Sequence, residues 1–202
     1  MKEFFKTRSY DMIRMFLNQF AISVFGFVLA MAATQAQNVV LRNITSVFSI
    51  LFYMFLLYTM TWEMGFKDKA NVDNGYQKRQ PLMGLYISLC ANIPNFLFAL
   101  FISLATWFNV KFFSTLGGIS AFCARILEGM YLGVLANPVN SESQVFDYWW
   151  AYFLIIIPSL LTCTVAYYFG LKDRKFTKLF KYQYPESDRE PKRKKRRNDG
   201  EE

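Results

Sequence analysis

The chain has 202 residues, of which 53% are hydrophobic and 19% aromatic, and it carries a net charge of +8. It contains no histidine, which excludes histidine-based acid–base catalysis, Ser-His-Asp triads and HExxH zinc sites. Its three cysteines are scattered among apolar blocks rather than arranged as a disulfide framework, and no glycine-rich nucleotide motif is present. We therefore expect neither an enzyme nor a protein that requires a cofactor.

The hydrophobic residues are gathered into blocks as long as a membrane-spanning helix, which needs roughly 20 apolar residues. The pattern predicts an all-α integral membrane protein with a bundle of four transmembrane helices. The predicted spans cover residues 16–36, 44–62, 81–108 and 148–171. The block at 81–108 is long for one span, so we expect it to tilt or to kink at Pro94.

Between the third and fourth spans lies a less hydrophobic segment at 112–136, which carries Gly117, Gly118, Arg125 and Glu128. We predict that this segment is a re-entrant or interfacial helix that does not cross the bilayer. The paired glycines would supply the flexible turn that a re-entrant element needs. The alternative is that the segment crosses the membrane and that the protein has five full spans.

The basic residues predict the orientation, because short loops rich in Lys and Arg remain in the cytoplasm. Four basic residues lie in the N-terminal segment 1–15, four in the 63–80 loop, and 12 in the tail at 172–202. Placing these three regions in the cytoplasm requires an even number of crossings, which four spans satisfy. The transmembrane domain is then 16–171, and the tail composition predicts disorder from about residue 185.

One face of the third predicted span is small and polar along its whole length when residues are placed at 100° intervals. Its candidate polar residues are Ser88, Asn92, Asn95, Ser103 and Thr106. Such a stripe either packs against another helix or lines a pathway for a solute or ion. We keep both interpretations open at this point.

The segment at 112–136 adds two charges, Arg125 and Glu128, which are three residues apart and would be neighbours on one helical face. We predict an intramembrane ion pair between them, because an unpaired charge at this depth is costly. The pair would either fix the segment in place or allow Arg125 to contact an anionic group.

The basic residues after the last span predict contact with anionic lipids of the inner leaflet. These candidates are Lys172, Arg174, Lys175, Lys178, Lys181, Lys192, Arg193, Lys194, Lys195, Arg196 and Arg197. Because this basic tail adjoins a membrane span, we expect lipid rather than nucleic acid as its partner.

Two functional hypotheses follow from these patterns. The first is a transport-type component, similar in kind to a permease or channel, with a polar helix face in the middle of the membrane. The second is a non-catalytic membrane subunit that binds a partner protein or anionic lipid. Four spans are few for a complete carrier, so we expect a homo-oligomer or a membrane partner subunit. The expected location is a cell membrane, with the bacterial cytoplasmic membrane favoured and both termini in the cytoplasm.

Overall fold

The computed structural model describes residues 2–35, 38–108, 110–139 and 143–174. Within these ranges the protein is helical, and its only β-type pairing is an isolated bridge between Pro138 and Gln144. The helices are α1 (Lys2–Gln35), α2 (Val39–Asp73), α3 (Met83–Ala91), α4 (Ile93–Trp107), α5 (Lys111–Leu127), α6 (Leu132–Leu135), α7 (Ala151–Leu154) and α8 (Ile156–Leu171).

Three of the described segments are long and apolar enough to cross a membrane: Arg8–Gln35, Val39–Asp73 and Ala151–Leu171. Two further helix pairs pass the same test but are bent, by 55° between α3 and α4 and by 81° between α5 and Gly129–Leu135. The number of candidate spans is therefore three, or up to five if each bent pair counts as one. These apolar helices indicate a helical protein associated with a membrane.

The second helix is longer than the sequence predicts, because α2 continues to Asp73 through a region expected to be a polar loop. The helix continues because part of this region is packed inside the bundle: Gly65 and Asp68 are buried. On the exposed side, Lys67 and Glu63 form an ion pair of 2.9 Å one turn apart, which also favours helix. A polar composition therefore did not mark the end of the helix.

The centre of the bundle is formed by α2 and α8, which run in the same direction. Thr61 contacts Cys163, and one turn later Gly65 lies against the backbone of Tyr167. Gly170 of α8 in turn lies against the backbone of α2, so the two helices touch at glycines where a side chain would clash.

The predicted kink in the third block is present, since α3 and α4 meet at Asn92 with a bend of 55°. Pro94 lies in the first turn of α4, where its missing N–H group and fixed φ angle are tolerated at a helix start. The Asn92 Nδ2 atom donates at 2.9 Å to the Ser88 carbonyl, which also accepts the Asn92 backbone amide at 3.0 Å, so Asn92 closes the end of α3 with two bonds.

The chain reverses direction after α4, and α5 runs back along it. Gly117 of α5 lies against Ala105 of α4, and Ala124 shares an apolar cluster with Ala99. After the 81° bend the chain leaves the middle of α1 and approaches the start of α2, where Gly133 lies against Ser46.

Candidate functional site

The first part of the predicted polar stripe is a hydrogen-bonded network centred on Asn92, which is 1% exposed. Its Nδ2 atom lies 3.4 Å from the Ser88 hydroxyl and 3.5 Å from the Ser159 hydroxyl of α8, and its Oδ1 atom accepts from Asn95 at 3.1 Å. Ser88 and Asn92 are therefore packed at the contact between α3 and α8.

The second part of the stripe lies beyond the bend and has different surroundings. Ser103 is buried and donates to the Ala99 carbonyl at 2.9 Å, whereas Thr106 is exposed and donates to the Ile102 carbonyl at 3.0 Å. Both hydroxyls thus bond the backbone of their own helix. The bend of 55° divides the stripe, so it does not form one continuous face.

The structure corrects the expected ion pair between Arg125 and Glu128, which is absent from the described residues. The Arg125 guanidinium lies 4.0 Å from the centre of the Phe146 ring. Side chains in an α-helix lean toward its N-terminus, so Arg125 reaches back along α5. Glu128 follows the last residue of α5 and takes a non-helical conformation, so the expected i, i+3 geometry stops short of it.

Glu128 instead lies among tyrosines inside the bundle, with 5% of its surface exposed. Its electrostatic neighbours are Tyr53 of α2, Tyr131 of the turn after α5, and Tyr152 of α7. Its Oε2 atom has no hydrogen-bond partner among the described residues, and neither does the Tyr131 hydroxyl, whereas the Tyr152 hydroxyl interacts with Arg125. We call Glu128 and these three tyrosines the Glu128 cluster.

Two serines hold the backbone that carries Glu128. Ser23 of α1 donates to the Ile126 carbonyl, and its hydroxyl accepts from the Gly129 amide at 2.9 Å. Ser46 of α2 donates to the Met130 carbonyl at 3.0 Å and accepts from the Val134 amide at 3.2 Å. Each hydroxyl therefore bonds one carbonyl and one amide that the interrupted helix leaves without helical partners.

Further buried polar atoms without partners lie on the neighbouring helices. Both amide atoms of Gln19 are buried and unpaired within the described part of the chain, one turn before Ser23 on the same face of α1. The Oδ1 atom of Asn95 is also unpaired. Such groups are rare in protein interiors because each costs about 1–3 kcal/mol when it loses water without gaining a partner.

A chain of polar contacts connects the Asn92 network to the Glu128 cluster. The Ser159 hydroxyl contacts both the Asn92 amide and the Tyr53 phenol, and Tyr53 is an electrostatic neighbour of Glu128. The sequence predicted the stripe and Glu128 separately. This connection was not predictable from the sequence, because Tyr53 and Ser159 are individual residues within apolar spans.

A second charged cluster was missed by the sequence analysis. Arg8 of α1 donates to the Asp68 carboxylate at 2.7 Å, and the Tyr167 hydroxyl donates to the same oxygen at 2.6 Å. Arg8 also bonds Asp11 at 3.2 Å. The side chains of Arg8 and Asp68 are 11% and 6% exposed, so this cluster ties α1, α2 and α8 together by a buried ion pair.

Only two of the predicted lipid-contacting residues lie within the described part of the chain. Lys172 donates to the Tyr168 hydroxyl and lies 4.3 Å from the centre of its ring, and the Arg174 carbonyl accepts from Trp62 at 2.9 Å. The others lie outside the described residues: Lys175, Lys178, Lys181, Lys192, Arg193, Lys194, Lys195, Arg196 and Arg197. Lipid contact by this tail stays a prediction.

Comparisons with protein-family models, curated proteins and solved structures find no match to this chain. Over the described ranges, no group of three or more His, Cys, Asp or Glu side chains is placed to hold a metal ion. The chemistry of the site therefore has to be argued from its own residues, of which Glu128 is the most unusual.

Proposed function

We propose that this protein is a transport-type membrane component, and that Glu128 binds and releases a proton or a small cation. The observation that carries the proposal is the buried Glu128 carboxyl group, whose Oε2 atom has no partner within the part of the chain that the structure describes. An isolated carboxylate is too costly in an apolar interior, so it is neutralised by a proton or by a bound cation. Either form can be exchanged, which a permanent ion pair would prevent.

The position of Glu128 at the end of α5 also favours positive charge. The C-terminal end of a helix carries a partial negative charge, and interrupted helices in transporters use such ends to bind cations. Arg125 does not compensate the carboxylate, because its guanidinium is directed to Phe146. The Tyr131 hydroxyl offers one more oxygen atom beside the same carboxyl group.

The transport proposal includes four crossings and one re-entrant element, with both termini in the cytoplasm. Support comes from the two ends of segment 111–137. The segment starts after α4, whose Trp107 contacts Trp149 just before α7, and it ends where Asn137 accepts from Arg42 of α2 at 3.0 Å. Arg42 lies near the start of α2, and Trp149 lies just before α7 and α8. Since α2 and α8 run in the same direction, both ends of the segment lie at the same end of the bundle. Glu128 then lies at the deepest point of a segment that enters and leaves on one side.

The polar contacts through α8 supply a route in this proposal. From Glu128 they pass through Tyr53 and Ser159 to Asn92, and Thr61 and Cys163 continue them along α8. Membrane pumps and transporters use similar series of polar side chains to move protons. As in the sequence-based hypothesis, the active form would be a homo-oligomer or would include a membrane partner subunit.

The proposal is tested by measuring ion flux into vesicles that contain the purified protein. A pH-sensitive dye reports proton entry under a proton gradient, and matched gradients of Na⁺ and K⁺ test the two commonest small cations. We expect one of these gradients to drive flux above that of protein-free vesicles. Glu128→Gln should abolish it, because the amide removes the exchangeable charge while keeping the shape of the side chain.

Asp73→Asn serves as the control, since Asp73 is an exposed carboxylate at the end of α2 and far from Glu128 along the chain. It should retain the flux of the parent protein. Glu128→Gln should unfold no more easily than the parent, because it replaces a buried ionisable group by a neutral one. Absence of flux under all three gradients, or equal flux in Glu128→Gln, would contradict the proposal.

A further inference from the structure

A groove of about 370 Å³ opens between α1 and α2, away from the Glu128 cluster. Its volume is within the range of small-molecule sites, about 300–1,000 Å³. Arg14 and Glu63 lie at one end of the groove, and Ala21, Ile22 and Leu56 lie at the other. The groove is therefore charged at one end and apolar at the other.

This arrangement follows from the antiparallel course of the two helices. Arg14 and Ala21 are two turns apart on one face of α1, and Leu56 and Glu63 are two turns apart on α2. Between the two ends, the Asn18 amide lies 2.8 Å from the Met60 sulfur. The charged end lies just before the apolar run that begins at Phe16, which is the level expected for lipid headgroups.

The two charges at this end are available to a ligand. Arg14 is exposed and acts electrostatically on Glu63. Glu63 is paired with Lys67, but the two side chains are 51% and 63% exposed, and exposed ion pairs of this kind are weak. A ligand that brings its own cation can therefore replace Lys67 at the carboxylate.

We propose that this groove binds a phospholipid with a primary amine in its headgroup, such as phosphatidylethanolamine. The guanidinium of Arg14 binds the phosphate, for which a planar two-pronged donor is well suited. The Glu63 carboxylate accepts hydrogen bonds from the lipid ammonium, and an acyl chain follows Ala21, Ile22 and Leu56. The site lies outside the Glu128 cluster and does not depend on transport.

The chemistry distinguishes this lipid from the other common headgroups. The quaternary ammonium of phosphatidylcholine has no N–H group to donate to Glu63. Phosphatidylglycerol brings a net negative charge close to the Glu63 carboxylate and no cation to balance it. We therefore expect affinity to decrease from phosphatidylethanolamine to either of the other two.

The experiment measures the binding of these three lipids, with identical acyl chains, to the detergent-purified protein by native mass spectrometry. Phosphatidylethanolamine should bind about tenfold more tightly than phosphatidylcholine, which is the effect of about one charge-assisted hydrogen bond. Glu63→Gln should remove its advantage over phosphatidylcholine. Arg14→Gln should weaken the binding of all three lipids, because each carries the phosphate.

Matched controls lie on the same part of the chain but outside the groove. Asp73→Asn removes an exposed carboxylate at the end of α2, and Arg79→Gln removes an exposed guanidinium a few residues later. Both should leave lipid binding unchanged. Equal binding of phosphatidylethanolamine and phosphatidylcholine, or equal effects of groove and control variants, would overturn the proposal. Phosphatidylglycerol that stays bound in Arg14→Gln is assigned to the basic tail rather than to the groove. The thermal unfolding of each variant shows whether it is folded.

Discussion

At the scale of single residues, Arg8 shows how a charge is stabilised in this bundle. Its guanidinium binds Asp68 at 2.7 Å, and the Tyr167 hydroxyl donates to the same carboxylate oxygen. Asp68 therefore accepts hydrogen bonds from side chains of two other helices, α1 and α8. Removal of its negative charge weakens both hydrogen bonds and leaves Arg8 with Asp11 alone, so this position should be among the most sensitive to substitution.

Asp68→Asn should lower the free energy of unfolding by about 3 kcal/mol, because the buried Arg8 loses its closer and more buried counter-ion and keeps only Asp11. Tyr167→Phe removes one hydrogen bond to a charged group and should lower it by about 1.5 kcal/mol. Asp73→Asn, at an exposed position on the same helix, should change it by less than about 0.5 kcal/mol. Chemical unfolding in mixed micelles measures all three. Equal effects of Asp68→Asn and Asp73→Asn would show that the ion pair does not stabilise the fold.

Residue contacts were the part of the site least predictable from the sequence. Arg8 and Asp68 are 60 residues apart, and neither position carries a pattern that indicates burial. The Arg125–Glu128 pair was predicted from helical spacing, which failed because α5 ends at Leu127. Glu128 was still recognisable as a charge placed in an apolar segment. Tyr131 is only three residues away, but Tyr53 and Tyr152 come from distant parts of the chain and could not be found by spacing.

At the scale of elements, the turn after α5 depends on close backbone contact. A Cβ atom at Gly129 would clash with the backbone of Ser23 and Phe27 on α1, whereas a Cβ atom at Gly118 would meet nothing. The predicted glycine turn was placed at Gly117 and Gly118, but both lie inside α5. The bend is instead at Gly129, where Ser23 of α1 and Ser46 of α2 bond the interrupted backbone.

Gly129→Ala should lower the free energy of unfolding by about 1–3 kcal/mol, because the added methyl group has no room. Gly118→Ala adds the same methyl group to α5 at an open position. It should not lower stability and can raise it by up to about 1 kcal/mol through helix propensity. The same unfolding assay compares the two. A loss in Gly118→Ala as large as that in Gly129→Ala would show that the contact with α1 is not the cause.

Element boundaries were predictable where sequence and packing agree. The kink near Pro94 was predicted correctly, because proline has a local effect on the helical backbone. The end of α2 was predicted wrongly, because the continuation of this helix to Asp73 depends on packing against α8. The sequence thus predicted the helical class of the fold and the position of its apolar blocks. It did not predict which polar stretches would be held inside the bundle.

At the scale of the whole molecule, the number of crossings determines on which side each loop lies. With four crossings and a re-entrant segment, residues 111 and 139 lie on the same side of the membrane. With five crossings they lie on opposite sides. Lys111 and Val139 are both exposed, so each can carry a reporter without disturbing the core.

Lys111→Cys and Val139→Cys, each in a background without Cys90, Cys123 and Cys163, should both react with a membrane-impermeant thiol reagent added to intact cells. A cysteine in place of Lys78, in the predicted cytoplasmic loop, should react only after the membrane is opened. Labelling of position 111 but not 139 from outside would establish a fifth crossing, and Glu128 would then lie within a full span.

The parallel contact of α2 with α8 also constrains how the protein is made. Thr61 and Cys163 are in contact although 102 residues separate them, so the α2 surface that carries Thr61, Gly65 and Asp68 is synthesised long before its cover. During translation this polar surface stays uncovered in the membrane, or bound by a chaperone, until α8 emerges from the ribosome. Since contacts distant along the chain form slowly, the joining of α2 to α8 should be a late step of biogenesis. Quality-control proteases could recognise the exposed polar surface of α2 in chains that have not yet been completed.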